Sequence, residues 1–88
     1  MQRHYIIHGR VQGVFFRDST RRKALELGLG GWVRNRSDGT VEAVVQGPEG
    51  AVAELAQWFR AGGPRSARVD RVEEQEGPGD TFTDFHVR

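Results

Sequence analysis

The sequence predicts an α+β protein with elements in the order β-α-β-β-α-β, in which two helices cover one face of an antiparallel sheet. Three observations carry this prediction. The chain has 88 residues, which suffices for one hydrophobic core and therefore for a single domain over residues 1–88. Two segments show helical spacing of apolar residues, and the remaining β-rich segments are separated by glycine-containing turns. A composition of 36% hydrophobic and 28% charged residues is typical of globular domains.

The first strand and the first helix are predicted near the start of the chain. Residues 4–8 are rich in β-branched and aromatic side chains and lead into a glycine-punctuated loop, residues 9–13. From residue 16 to residue 27, apolar and small side chains recur every three or four positions, at Phe16, Thr20, Ala24 and Leu27. This spacing indicates an amphipathic helix, and Gly28 is placed to end it.

The middle of the chain predicts a hairpin and the second helix. The β-rich segments 31–36 and 40–46 flank Ser37-Asp38-Gly39, a strong signal for an antiparallel hairpin. Gly47-Pro48-Glu49 predicts a helix start with proline in the first turn. The expected buried stripe of that helix is Val52, Leu55, Ala56 and Phe59.

The last third of the chain predicts the remaining strands. Gly62-Gly63-Pro64 ends the second helix, and the imperfect alternation over residues 67–74 indicates a fourth strand with an irregularity. Residues 82–87 are expected to add a short edge strand. The complete order is that of the ferredoxin-like, or split βαβ, sandwich.

Composition excludes several classes of protein. Cysteine is absent, and no segment approaches the length of a membrane span or of a signal peptide's apolar region. The three histidines, His4, His8 and His86, have no cysteines or carboxylates at ligand spacing, so no metal site or cofactor is predicted. We expect a cytoplasmic protein with no membrane partner, and a monomer by default.

Charge is unevenly distributed along the chain. Residues 1–36 hold eight Lys/Arg against two Asp/Glu, whereas residues 37–88 hold five against ten. Such a basic half is expected either to surround an anion, phosphate or nucleic acid, or to be mixed with the acidic half by folding.

The first strand-to-helix junction, Gly9 to Arg17, is the most informative segment. Its two glycines allow the backbone to direct several N–H groups at one point, and a helix N-terminus adds partial positive charge. Arg17 lies in the first helical turn, where a cation is unfavourable unless an anion is also present. The segment suits an anion site, but its spacing alone favours a simpler interpretation, an exposed arginine at a helix start beside an ordinary turn.

Two segments carry a resemblance to a known family. GRVQGVFFR, residues 9–17, and GWVRNRSDGTVE, residues 31–42, resemble the signature segments of the acylphosphatase family. The resemblance continues through LELGL, residues 25–29, through Gly47 and Trp58, and through GPRSARV, residues 63–69. It therefore covers nearly the whole chain, and the family has the fold predicted above.

The resemblance implies hydrolysis of the carboxyl–phosphate bond of small acyl phosphates, giving a carboxylate and inorganic phosphate without metal or cofactor. By position, it implies that Arg17 binds the phosphate and that Asn35 holds the attacking water. The remaining phosphate ligands would be the loop backbone N–H groups of Gln12, Gly13, Val14, Phe15 and Phe16. Inorganic phosphate would then be both product and inhibitor.

Several alternatives stay open at this point. Asn35 can be an ordinary residue near a hairpin turn, although Ser37-Asp38-Gly39 already provides turn chemistry. Strand alternation places Arg34 and Arg36 opposite Asn35, where we expect them to be solvated or ion-paired. Asp18 and these two arginines are positions where neighbours of the motif could tune activity.

Two other functions compete with the enzyme. The same topology occurs in RNA-recognition modules, but the predicted third strand has no aromatic residue on which a base could stack. A non-catalytic regulatory module of the same fold is the second alternative.

Overall fold

The structure, a computed structural model, describes residues 1–88 and confirms the predicted ferredoxin-like α+β fold. Its elements are β1 (Gln2–Arg10), α1 (Phe16–Glu26), β2 (Gly30–Asn35), β3 (Val41–Gln46), α2 (Glu49–Arg60), β4 (Arg68–Glu76) and β5 (Phe85–Val87). The strands form one sheet in the order β4-β1-β3-β2-β5. The four longer strands pair antiparallel, as the sequence predicts.

The fifth strand departs from the prediction of a purely antiparallel sheet, because β5 pairs with β2 in parallel. The cause is the path of the chain after β4. Strand β4 ends beside the start of β1, at the same end of the sheet where β2 begins. The connecting segment crosses that end, where the N–H of Gly77 donates to the carbonyl of Gln2 and Phe82 contacts Gly30. The chain therefore enters β5 at the start of β2 and runs in the same direction.

One hydrophobic core lies between the sheet and both helices. Its largest fully buried side chains include Tyr5, Ile7, Phe16, Leu55 and Phe59. Phe59 stacks on Phe16 of α1 and meets the edge of Tyr5 of β1, so three elements converge on its ring. This core holds Phe16, the first residue of α1, against the sheet. Because Phe16 directly follows the β1–α1 loop, the core also fixes the end of that loop.

The helix predictions are confirmed with shifts of one residue. Helix α1 buries Phe16, Thr20 and Ala24, and Gly28, just beyond its end, has a positive φ of 71°. Helix α2 buries the four predicted residues Val52, Leu55, Ala56 and Phe59. Pro48 is the N-cap of α2 rather than a residue of its first turn.

The predicted irregularity of the fourth strand is a shift of register opposite β1. The pairing shifts between His8 and Gly9, so Asp70 has no partner. Gly9 is required there because a Cβ atom would lie 2.1 Å from the carbonyl oxygen of Arg68.

The other face of the sheet carries a layer of charged side chains. Arg34 donates to Glu42 at 2.6 Å, and His4 bonds the same carboxylate at 2.7 Å. On the helix face of the sheet, Arg3 lies 3.5 Å from Glu74. These pairs join the basic first half of the chain to its acidic second half. Folding therefore pairs part of the basic half with the acidic half.

None of the helices combines the length and apolar character that a membrane span requires. Among all 88 residues, no group of three or more His, Cys, Asp or Glu side chains is arranged to hold a metal ion.

Candidate active site

The loop between β1 and α1 has free donors and an unusual backbone. Gly13 has φ of 73°, and Phe15, the N-cap of α1, has φ of 62° and ψ of 24°. A Cβ atom at Gly13 would meet nothing within 4 Å, so glycine serves the backbone conformation there and not close packing. The backbone N–H groups of residues 12–15 donate no hydrogen bond within the protein. Such turns make concave anion sites, and the helix N-terminus adds partial positive charge.

Arg17 lies in the first turn of α1, as predicted, and its side chain is half-buried. Its guanidinium makes no ion pair and no hydrogen bond, although ten other ion pairs form in the molecule. A half-buried cation at the positive end of a helix is unfavourable by itself. An anion bound at the loop would remove that cost.

Asn35 ends β2, and its side-chain oxygen is buried without a hydrogen-bond partner. A buried amide oxygen without a donor costs roughly 1–3 kcal/mol, a cost that a donor from a bound molecule would remove. Arg34 lies on the opposite face of the strand, where it bonds Glu42 and stands 5.5 Å from the ring of Trp32. Arg36 lies 3.8 Å from Asp38. The ion pairing that we expected for both arginines is confirmed.

Arg17 and Asn35 line the same cavity, which has a volume of about 510 Å³. Its lining residues are Val11, Gly13, Phe15, Phe16, Arg17, Asp18, Asn35 and Val87. Five of the seven residues predicted for the site are therefore brought together. The other two, Gln12 and Val14, do not line the cavity: Val14 is buried, and the side chain of Gln12 turns towards the β2–β3 hairpin.

Two side chains attach the loop to the rest of the molecule. The amide nitrogen of Gln12 donates to the carbonyl of Arg36 at 2.7 Å and to that of Thr40 at 2.8 Å. The hydroxyl of Ser66 donates to the carbonyl of Val14 at 2.8 Å. The first contact ties the loop to the hairpin that carries Asn35. Sequence reasoning assigned no role to Ser66, because nothing in its spacing indicates a contact with a loop 52 residues earlier.

The side chains of Phe15 and Val87 are exposed at the rim of the cavity, and Asp18 adds a carboxylate. Sequence reasoning named Phe15 for its backbone N–H and Asp18 as a neighbour that could tune activity, but it missed Val87. Asp18 forms an ion pair with Arg22, one helical turn later, at 3.1 Å. Val87 could have been found only from the parallel pairing of β5 with β2, which places it beside Val33.

Ionised carboxylates stabilise the hairpin that carries Asn35. The side-chain hydroxyl and the backbone N–H of Thr40 donate to Asp38 and hold the pKa of that carboxyl below its ordinary value. Burial alone would raise the pKa of Glu42, but hydrogen bonds from His4 and Arg34 outweigh burial, so its pKa lies below the ordinary 4.5. Both groups therefore favour the charged form near neutral pH.

The fold and this cavity together define a class: small α+β domains in which a β–α loop, an arginine and an asparagine line one cavity. Comparison with known proteins adds the family. A family model described as Acylphosphatase matches residues 3–87. The chain is 57% identical over 85 residues to an acylphosphatase of Thiobacillus denitrificans, covering 97% of this chain and 93% of that protein.

Solved structures agree with that match. The chain is similar to the acylphosphatase of Coxiella burnetii, with a TM-score of 0.93, 44% identity, and coverage of 99% of this chain and 90% of that one. For the acylphosphatase of Bacillus subtilis, the TM-score is 0.91 with 34% identity, over 99% of this chain and 97% of that one.

The chain belongs to the acylphosphatase family. It is a hydrolase, and the predicted family, fold class and activity, hydrolysis of acyl phosphates, are confirmed. The competing hypotheses, an RNA-binding module and a non-catalytic regulatory module, receive no support from these comparisons.

Proposed function

We propose that a water molecule held by Asn35 attacks phosphorus directly, while Arg17 and the loop N–H groups of residues 12–16 hold the phosphate of the substrate. The observation that carries this proposal is the cavity that Arg17 and Asn35 share, in which each offers a polar group without a protein partner. The substrates are small acyl phosphates, and the products are a carboxylate and inorganic phosphate.

Phosphate binding is assigned to two kinds of donor. The guanidinium of Arg17 is planar and permanently charged, so it can donate two parallel hydrogen bonds to one phosphate. The N–H groups of residues 12–15 have no acceptor within the protein. Because phosphoryl transfer changes charge mainly on the phosphate oxygens and the departing oxygen, these donors also stabilise the transition state.

The leaving group explains why so few residues suffice. It is a carboxylate whose conjugate acid has a pKa of about 4, by analogy with side-chain carboxyls, so it departs as an anion. No general acid is needed to protonate it. The catalytic task is then to position the phosphate and the water and to stabilise charge.

Asn35 is assigned to the water. Its amide is far too weak a base to take a proton, but its oxygen accepts a hydrogen bond and orients the water. The water oxygen forms a bond to phosphorus as the bond from phosphorus to the acyl oxygen breaks, and the carboxylate leaves with the electron pair. The proton of the water passes to a phosphate oxygen of the substrate.

The proposal also covers the organisation of the protein. Residues 1–88 are taken as one domain because one core of 16 buried residues includes residues of both helices and of β1, β2, β3 and β5, and Val69 and Val72 of β4 pack against it. The domain acts as a monomer in the cytoplasm, with inorganic phosphate as a competitive inhibitor, and without a nucleic-acid or membrane partner. Neither a cofactor nor a metal ion is assigned a step.

The test is hydrolysis of benzoyl phosphate in the presence of a metal chelator. Loss of one transition-state donor costs about 10²–10³-fold in kcat, so Arg17→Lys and Asn35→Ala are each expected to lower kcat by that amount. Arg21→Lys is the matched control, because Arg21 is an exposed arginine of the same helix outside the cavity. Unchanged turnover in both site variants would refute the residue assignment.

Two further measurements test direct attack. In water labelled with oxygen-18, a single turnover is expected to place the label in inorganic phosphate and not in the carboxylate. A phosphoryl-enzyme adduct trapped by rapid quenching would contradict the mechanism.

A further inference from the structure

The cavity has a polar interior and an apolar rim. The amide oxygen of Asn35 is buried and Arg17 is half-buried, whereas Phe15 is 80% exposed and Val87 is 41% exposed. Four large hydrophobic side chains are exposed in the whole molecule, and the other two are Met1 and Leu25. Half of the exposed large hydrophobic side chains therefore border one cavity, beside the proposed phosphate position.

The stability of the fold does not account for the ring of Phe15. At 80% exposure the ring is not removed from water, and the side chain makes no capping hydrogen bond for α1. Its left-handed backbone costs a non-glycine residue roughly 1–2 kcal/mol. The sequence thus places a large apolar group where the backbone favours glycine or asparagine, and the ring is free to contact a bound molecule.

Val87 reaches the same rim from another part of the chain. Strand β5 runs parallel to β2, with Val87 beside Val33, and the N–H of Arg88 donates to the carbonyl of Val33 at 2.8 Å. Because β2 continues in the same direction to Asn35, this pairing brings Val87 to the end of the strand that holds the proposed water-binding amide. Two apolar groups from opposite ends of the sequence thereby flank the cavity.

The charges of the cavity restrict what the apolar rim can accept. Arg17 and Asp18 are the only charged residues among those that line it. When Arg17 holds the phosphate, no lining cation remains for a second anionic group, and the carboxylate of Asp18 repels one. The pairing of Asp18 with Arg22 weakens that repulsion without supplying a free cation.

We propose that the acyl group of the substrate lies against Phe15 and Val87, and that the preferred substrates are acyl phosphates whose acyl group is apolar and uncharged. This inference rests on the proposed function, because it takes the position of the phosphate from Arg17. The side chains of Phe15 and Val87 then determine specificity for the acyl group. This role of the Phe15 side chain is separate from the proposed role of its backbone N–H in binding phosphate.

The test compares kcat/KM for three substrates: acetyl phosphate, benzoyl phosphate and 4-carboxybenzoyl phosphate. The wild type is expected to prefer benzoyl over acetyl phosphate by about tenfold or more, as apolar pockets distinguish substrates by 10–200-fold. The added carboxylate is expected to remove most of that preference. Equal kcat/KM for benzoyl and 4-carboxybenzoyl phosphate would overturn the exclusion of charged acyl groups.

Variants then test the residues. Phe15→Ala and Phe15→Asn are expected to reduce the benzoyl preference to less than threefold, and asparagine tolerates the left-handed backbone, so the loop keeps its shape. Val87→Ala is expected to give a smaller reduction in the same direction. Leu25→Ala is the matched control, since Leu25 is exposed but lies outside the cavity.

Inhibition by inorganic phosphate separates the acyl contacts from the phosphate site. Phosphate has no acyl group and Val87 takes no part in the proposed phosphate binding, so the inhibition constant of phosphate is expected to change less than twofold in Val87→Ala. If the Phe15 and Val87 variants slow acetyl and benzoyl phosphate equally, the inference is overturned. A wild type that hydrolyses none of the three substrates would instead overturn the proposed function itself.

Discussion

The side chain of Gln12 offers the sharpest test of how the loop and Asn35 are held together. Its amide nitrogen donates two hydrogen bonds, to the carbonyls of Arg36 and Thr40. Both carbonyls belong to the hairpin that follows Asn35, so one side chain connects the proposed phosphate loop to the strand that carries the proposed water-binding residue. Gln12→Ala removes both bonds and leaves every proposed reacting group in place.

The size of the effect follows from those two bonds. A hydrogen bond contributes about 0.5–1.5 kcal/mol net to stability, and the side chain is partly exposed, so the free energy of unfolding should fall by about 1–2 kcal/mol. In a domain of this size, that corresponds to a decrease in Tm of roughly 5–10 °C. Loss of alignment between phosphate and water should lower kcat at least about tenfold, since displacements near 1 Å can cost about 10²-fold.

The matched control is Gln2→Ala. The amide nitrogen of Gln2 also donates two hydrogen bonds, to Gln46 at 3.0 Å and to the carbonyl of Asp80 at 2.6 Å, at the opposite end of β1 from the loop. Its amide oxygen accepts a third, from the N–H of Gly79 at 2.7 Å. Thermal unfolding and steady-state hydrolysis of benzoyl phosphate are measured for both variants. We expect a loss of Tm in Gln2→Ala at least as large as in Gln12→Ala, but a loss of kcat only in Gln12→Ala. Equal kcat in the two variants would refute the argument that Gln12 positions the loop.

Three further predictions concern other parts of the molecule. Ser66→Ala removes the hydrogen bond to the carbonyl of Val14, so kcat/KM for benzoyl phosphate should fall about threefold to tenfold, with a stability loss of about 1 kcal/mol. Gly31→Ala should lower the free energy of unfolding by more than about 3 kcal/mol in urea titrations, because φ is +133° and the new Cβ would lie 1.9 Å from the carbonyl oxygen of Val44. The free energy of unfolding should decrease as the pH falls below about 4.5, the ordinary pKa of Glu42, since its lowered pKa in the folded protein means that the unfolded chain binds the proton more readily. Glu42→Gln should remove part of this acid dependence.

Each of these predictions has a control and an outcome that contradicts it. Ser37→Ala, at an exposed serine of the hairpin turn, should leave kcat/KM unchanged; an equal loss in both serine variants would argue against a specific tie from Ser66. Gly50→Ala lies within α2 with open space around its Cβ and should stabilise by about 0.5–1 kcal/mol. An identical acid dependence in Glu42→Gln and the wild type would exclude Glu42 as a source of that dependence.

Most of the fold could be predicted from the sequence because local patterns specify it. Patterns of residues that are close in the sequence predict three features of the fold: the buried stripes of both helices, the hairpin turn at Asp38-Gly39 and the irregular fourth strand. The parallel pairing of β5 could not be read, because it depends on where the chain leaves β4 at one end of the sheet. A short strand has too few residues for periodicity to show its direction or its partner.

The candidate site likewise contains residues that local sequence reveals and residues that it does not. Arg17 and Asn35 belong to sequence segments that resemble a family signature, and both line one cavity in the structure. The contacts of Ser66 and the position of Val87 are tertiary, so no local spacing reveals them. The left-handed backbone of Phe15 runs against the preference of its own side chain, and local rules fail at such a strained position.

The most direct test of the proposed mechanism is a crystal structure of the protein with inorganic phosphate bound. We expect a phosphate ion in the cavity, held by the N–H groups of the loop and by two guanidinium nitrogens of Arg17 at about 2.7–2.9 Å. The amide oxygen of Asn35 should then lie within one water molecule of phosphorus, on the side from which attack occurs. A phosphate ion bound elsewhere, with Arg17 turned away from the loop, would contradict the proposed mechanism.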